Sequence, residues 1–61
     1  MNKEKFKQYR ISLELTQKEL AEKLKLKGGQ RYISAIETGV RVPSSRVLEL
    51  FKVLIREGKN V

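Results

Sequence analysis

Apolar residues recur every three or four positions along most of the chain, which is the spacing of amphipathic α-helices. In the first such segment, about residues 3–13, one face carries Phe6, Tyr9 and Leu13. Arg10 lies on the same face, an unusual place for a charge that has no partner. We therefore predict a first helix that packs on the core through this face.

A second helix is predicted to begin at Thr16, because Thr16 and Glu19 have the spacing of a capping box. In that motif the hydroxyl accepts an early backbone N–H, and the carboxylate reaches back to the first amide. A narrow apolar stripe of Leu20, Ala21 and Leu24 follows. The small side chain of Ala21 allows another helix to approach closely.

Gly28 and Gly29 interrupt this pattern, since adjacent glycines cost conformational entropy inside a helix and readily adopt positive φ. Helical spacing resumes with Ile33 and Ile36, and a glycine follows at a C-terminal capping position. The pattern predicts a third helix over about residues 30–38.

A last helix is predicted to begin near Ser44 or Ser45, just after Pro43, and to end at Gly58. Its broad apolar face consists of Val47, Leu48, Leu50, Phe51, Leu54 and Ile55. The chain is thus predicted to form one all-α domain of four or five helices. A β-hairpin over residues 31–42 is the alternative, which the three-residue step between the two isoleucines disfavours.

The composition limits the chemistry that the chain can perform. With 61 residues, it is a single domain near the lower size limit for independent folding. It has no cysteine, which excludes disulfides and thiolate metal ligands, and no histidine, the commonest general base and metal ligand. Ser44 and Ser45 fit helix caps, and the glutamates are dispersed among lysines as on a solvated face. We therefore expect no enzyme, no cofactor, no metal and no small-molecule ligand.

The charge favours a polyanionic partner over a role in solubility alone. Fourteen Lys and Arg residues against seven Asp and Glu give a net charge of +7 and a pI near 10.1. A membrane surface is disfavoured because the last helix has few basic residues for its apolar area. RNA is disfavoured because most of the four aromatic residues fit the core. Without an apolar run of about 20 residues or a secretory signal, we expect a cytoplasmic protein.

The runs TQKELAEKL, YISAIETG and VRVPS follow one another from Thr16 onward. Together with the upstream helix, they resemble the Cro/repressor-type helix-turn-helix family of phage and bacterial transcriptional regulators. The resemblance covers about residues 3–55. It implies a lambda-repressor-like domain that binds double-stranded DNA, with the second and third helices forming the helix-turn-helix.

The second helix of a helix-turn-helix motif, here the third helix of the chain, enters the major groove of DNA. The first helix of the motif crosses the DNA backbone. With Ile33 and Ile36 facing inward, a rotation of about 100° per residue turns polar and small side chains toward the base edges. Arginine can pair with guanine and glutamine with adenine, and methyl groups can touch thymine. The predicted base-reading residues are Gln30, Arg31, Ser34, Ala35 and Thr38.

Contacts to the DNA backbone are expected around this helix. The resemblance makes Gln17 a phosphate-binding residue at a helix N-terminus, where free N–H groups favour anions. The further candidates are Lys27, Tyr32, Arg41 and Arg46. Packing remains the alternative for Tyr32, and a solvated charge for the basic residues. Three others are predicted to be plain surface charges: Lys52, Arg56 and Lys59.

The resemblance also implies that Arg10 of the first helix pairs with Glu37 near the end of the third, as a structural ion pair. The sequence departs from the family at the turn. The stretch between Leu26 and Ile33 is about two residues longer than usual, and Lys25 stands where the family often has glycine. The start of the third helix is therefore left open, and the glycine pair leaves N–H groups that can approach the backbone.

The expected function is sequence-specific repression by occupying an operator, as Cro-like proteins do. Such proteins bind paired half-sites as dimers, so a weak homodimer on DNA is expected. Leu54, Ile55 and Val61 form the candidate dimer patch, unless they only complete the monomer core. An antitoxin-type protein, which binds a partner protein as well as DNA, is the alternative.

Overall fold

The computed structural model describes residues 1–58, which form an all-helical domain of four α-helices. These are α1 (Lys3–Ser12), α2 (Gln17–Lys23), α3 (Gln30–Thr38) and α4 (Ser45–Gly58). The all-α prediction is confirmed. The hairpin alternative is wrong, because most of its residues lie in α3.

The core lies between the four helices: α2 and α1 pack on α3, and α4 contributes Val47 and Phe51. Phe6 and Phe51 meet at its centre with ring centroids 4.4 Å apart, and Tyr9 contacts Phe51 edge-on. The buried residues are all apolar within the described chain: Phe6, Leu20, Ala21, Leu24, Ile33, Ile36, Val47 and Phe51. Of the other residues predicted on apolar faces, Tyr9, Leu13, Leu48, Leu54 and Ile55 are half-buried and Leu50 is exposed, so the apolar face of α4 is broader than the part that is buried.

The predicted capping box at the start of α2 is present. The Thr16 hydroxyl accepts from the Glu19 amide at 3.0 Å, and the Glu19 carboxylate accepts from the Thr16 amide at 2.9 Å. These bonds lower the pKa of the Glu19 carboxyl. Helix α4 begins similarly, with the Ser44 hydroxyl accepting from the Val47 amide at 3.3 Å. The Glu19 and Val47 amides lie in the first turn of their helices, where an amide has no intrahelical partner.

Three helices end in the same left-handed turn, with a residue at positive φ. After α3 this residue is Gly39, at a φ of +86°. After α1 and α2 it is Glu14 and Lys25, at +58° and +54°. In each case two amides bond back to carbonyls of the last helical turn, as in a Schellman motif. Glu14 and Lys25 thus adopt a left-handed backbone conformation that glycine would adopt at a lower energetic cost.

Within residues 1–58, none of the helices combines the length and apolar character that crossing a membrane requires.

Candidate nucleic-acid interface

Gly29 fixes where the third helix begins. Its φ of +59° and ψ of −145° lie in a region that essentially only glycine occupies. Its amide donates to the Leu26 carbonyl at 3.1 Å and closes a turn. After the enlarged turn, α3 therefore begins at Gln30, a boundary that the sequence left open.

One side of α3 is anchored and the other is free. Ile33 and Ile36 are 0% and 2% exposed. The predicted base-reading residues lie away from these two: Gln30, Arg31 and Thr38 are exposed, and Ser34 and Ala35 are half-buried. Because Arg31, Ser34, Ala35 and Thr38 follow a three–four–seven spacing, they share one helix face. The helix therefore presents a row of donors, acceptors and methyl groups on a rigidly held support.

A hydrogen-bonded chain joins three helices behind this row. Arg10 Nε of α1 donates to Glu37 Oε2 of α3 at 2.6 Å, and Arg10 Nη1 donates to the Leu15 carbonyl at 2.8 Å. Gln17 Nε2 of α2 donates to Glu37 Oε1 at 3.1 Å. Gln30 Nε2 in turn donates to Gln17 Oε1 at 3.4 Å. The ion pair thus also orients Gln17, which holds the first side chain of α3.

The charge state of Glu37 depends on this chain. Burial raises the pKa of the Glu37 carboxyl, but hydrogen bonds from Arg10 and Gln17 and the nearby arginine charge outweigh burial. The net result is a pKa below the ordinary 4.5. Glu37 is therefore ionised at neutral pH, where it accepts from Arg10 and Gln17 together.

Tyr32, in the first turn of α3, contacts the loop that follows the helix. Its hydroxyl accepts from the Ser44 amide at 3.3 Å, and the Arg41 guanidinium lies 5.3 Å from the ring centroid. A cation over an aromatic face is attracted by the ring quadrupole. Tyr32 is half-buried, so it both packs and positions Arg41 beside the exposed face of α3.

The candidate backbone residues fall in three places. Gln17 lies at the start of α2. A shallow groove along α3 is lined by Lys27, Gly28, Arg31, Tyr32, Ala35, Val40 and Arg41. Arg46 does not line this groove; it borders a second groove, between the end of α2 and α4. Lys27 borders both grooves, so the enlarged turn carries a cation between them.

The candidate dimer residues on α4 are used within the monomer. Leu54 and Ile55 are half-buried and pack against the core. The exposed apolar side chains of α4 are instead Leu50 and Val53. Val61 lies outside the described residues, as does Lys59. The other predicted surface charges, on the same helix, are exposed: Lys52 and Arg56.

Sequence reasoning missed the bond between Gln17 and Gln30 and the stacking of Arg41 on Tyr32. The available signal for the first was that both glutamines occupy the first position of their helices. Two adjacent helix N-termini bring such side chains together.

Comparison with known proteins agrees with this geometry. The family model described as "Helix-turn-helix domain" matches residues 4–59, most of the chain. No curated protein and no solved structure matched. Since the match includes all of α2 and α3 with the turn between them, the chain belongs to the helix-turn-helix domain family.

Proposed function

We propose that this protein is a sequence-specific regulator of transcription that binds double-stranded DNA and represses a promoter by occupying it, as a Cro-like repressor does. One observation carries the proposal. The outward face of α3 exposes Gln30, Arg31 and Thr38, while Ile33 and Ile36 anchor the opposite face in the core. Such a helix can enter a major groove about 12 Å wide with its reading side chains already positioned.

The roles of the side chains follow from their chemistry. Arg31 is suited to pair with guanine O6 and N7, and Gln30 with adenine. The half-buried Ser34 and Ala35 and the exposed Thr38 complete the reading face. The Ala35 and Thr38 methyl groups suit contact with a thymine methyl. The proposed backbone contacts are Gln17, Lys27, Tyr32, Arg41 and Arg46.

Arg10 and Glu37 act behind the interface in this proposal. Their 2.6 Å contact is nearly buried, with side chains 12% and 5% exposed. They hold α3 against α1, and through Gln17 they fix the side chain of Gln30. The two residues are therefore assigned to positioning the reading helix rather than to contacting DNA.

We further propose that two copies bind paired half-sites as a weak dimer and that the protein acts in the cytoplasm. Half-sites of such proteins lie about 34 Å apart, one helical turn of DNA. The net charge of +7 favours association of each copy with the phosphate backbone.

Selection of binding sites from random duplex DNA at near-physiological salt tests the proposal. An enriched inverted repeat is expected, and its spacing measures the distance between half-sites. A single unpaired motif would support a DNA reader and contradict the dimer. Binding that enriches no sequence would contradict sequence-specific regulation.

A further inference from the structure

A second groove, which shares Lys27 with the groove along α3, lies between the C-terminal end of α2 and the first half of α4. Its volume is about 580 Å³, within the range of pockets that hold ligands. It is lined by Lys23, Leu24, Lys25, Leu26, Lys27, Arg46, Val47 and Leu50. Half of these residues are cationic and half are apolar.

The cations of this groove have no acidic partner in the groove itself. Among residues 1–58, the ion pair found within 4 Å joins Arg10 to Glu37, on another part of the molecule. Glu19, one turn before Lys23 on α2, lies outside the groove. Lys23, Lys25 and Arg46 are exposed, so their charges are available to a negatively charged partner.

The apolar residues of the groove give it a floor. Leu24 and Val47 are 4% and 6% exposed and belong to the core. Leu26 is half-buried above them, and Leu50 is 43% exposed. A phosphate track needs cations and polar donors but gains nothing from an exposed leucine. A ligand with an apolar side chain flanked by carboxylates would contact both the apolar floor and the cations beside it.

We propose that this groove docks an acidic segment of a partner protein, with a leucine or phenylalanine of that segment on Leu26 and Leu50. Complementary charge gives such contacts their specificity and fast association, while a buried apolar anchor supplies much of the affinity. Lys23 and Lys25, which have no proposed contact with DNA, then pair with the carboxylates. Of the residues that line this groove, Lys27 also lines the groove along α3, whereas Leu26 and Leu50 do not, so the protein can recognise a second macromolecule here.

The test is a titration of the full-length, ¹⁵N-labelled protein with a short synthetic peptide of Glu, Asp, Leu and Phe, without DNA and at near-physiological salt. Amide shifts are expected at residues 23–27 and 46–50. A matched peptide with Ser in place of Leu and Phe has the same charge, and it is expected to bind at least tenfold more weakly. The outcome does not depend on the DNA reading proposed above.

Variants localise the site. Leu50→Ser and Lys23→Glu are each expected to weaken binding of the apolar-bearing peptide about tenfold. Lys52→Glu, the matched control, makes the same charge change at an exposed position of α4 outside the groove and is expected to have little effect. Equal binding of both peptides would overturn the proposal, because charge alone would then explain it. Random-sequence duplex DNA that shifts the Lys23 and Leu50 amides, away from the proposed backbone contacts, as strongly as the peptide would also overturn it, in favour of a phosphate track.

Discussion

At the scale of single residues, the fold depends on a few positions whose chemistry is unusual. Glu14 and Lys25 adopt a left-handed backbone that favours glycine, and each follows a helix end closed by two returning hydrogen bonds. Glu37 keeps its charge while nearly buried, because Arg10 and Gln17 donate to it. Both features have measurable consequences for the free energy of unfolding.

We expect Lys25→Gly to stabilise the protein. A left-handed conformation costs an L-residue about 1–2 kcal/mol, and glycine loses about 0.5–1 kcal/mol through its freedom in the unfolded chain. The net gain should be about 0.5–1 kcal/mol in chemical denaturation. Lys23→Gly is the control: Lys23 is the last residue of α2, with an ordinary helical backbone, so glycine there should destabilise by up to about 1 kcal/mol. A loss at both positions would show that the turn does not strain Lys25.

The ion pair should make stability depend on pH. Because the pKa of Glu37 is lower in the folded protein than its ordinary 4.5, the unfolded chain binds the proton more readily. The contribution of the pair is thus complete above about pH 4.5 and is lost as the pH falls through the lowered folded value. Glu37→Gln should cost about 3 kcal/mol at pH 7, and its deficit should shrink in acid.

Denaturation curves of wild type and Glu37→Gln between pH 7 and pH 3 measure this deficit. Glu49→Gln, which changes an exposed carboxylate on α4, is the control and should match wild type throughout. A deficit that stays constant with pH would mean that the charge of Glu37 does not hold the helices together.

At the scale of elements, the sequence predicted the four helices and the end of α3, and the structure bears this out; the start of α3, which the sequence left open, is at Gln30. The spacing of Ile33 and Ile36, the capping box and the glycine pair are local signals that neighbouring residues suffice to set. The tertiary links were not predictable in this way. The approach of Gln17 to Gln30, and the packing of Leu54 against the core, depend on how helices cross.

Substitution of Gly29 tests whether the turn before α3 depends on the backbone conformation of this residue. An added Cβ would meet nothing within 4 Å, so any effect of Gly29→Ala must come from its backbone at a φ of +59°. We expect a loss of about 1–3 kcal/mol and weaker DNA binding, since the helix start must shift. Gly28→Ala is the control; its φ is ordinary, and its Cβ would lie 3.3 Å from Tyr32 Cβ. Equal losses at both glycines would indicate that crowding, not backbone strain, sets the turn.

At the scale of the whole molecule, a net charge of +7 acts on DNA of any sequence, whereas the α3 face acts on particular base pairs. The salt dependence of the affinity distinguishes the two contributions. Each phosphate contact releases counterions and so makes the affinity fall with salt, whereas base contacts do not. The structure places Arg41 beside α3 on Tyr32, and Arg56 in the last turn of α4.

Arg41→Ala should weaken binding to every duplex by a similar factor and reduce the slope of log affinity against log salt by about one. Arg56→Ala removes the same charge and should leave the slope nearly unchanged. Fluorescence anisotropy over a range of salt concentrations measures both slopes. Equal changes for the two variants would assign binding to net charge rather than to the groove along α3.

The central claim is that the outward face of α3 reads base pairs. The most direct test measures the affinity of wild type and Arg31→Ala for the selected site and for all its single-base variants. The account predicts a loss of about 1–3 kcal/mol for Arg31→Ala on the selected site and relaxed preference at one base pair, with other preferences kept. A uniform loss on every variant site would contradict it, because Arg31 would then contact only the backbone.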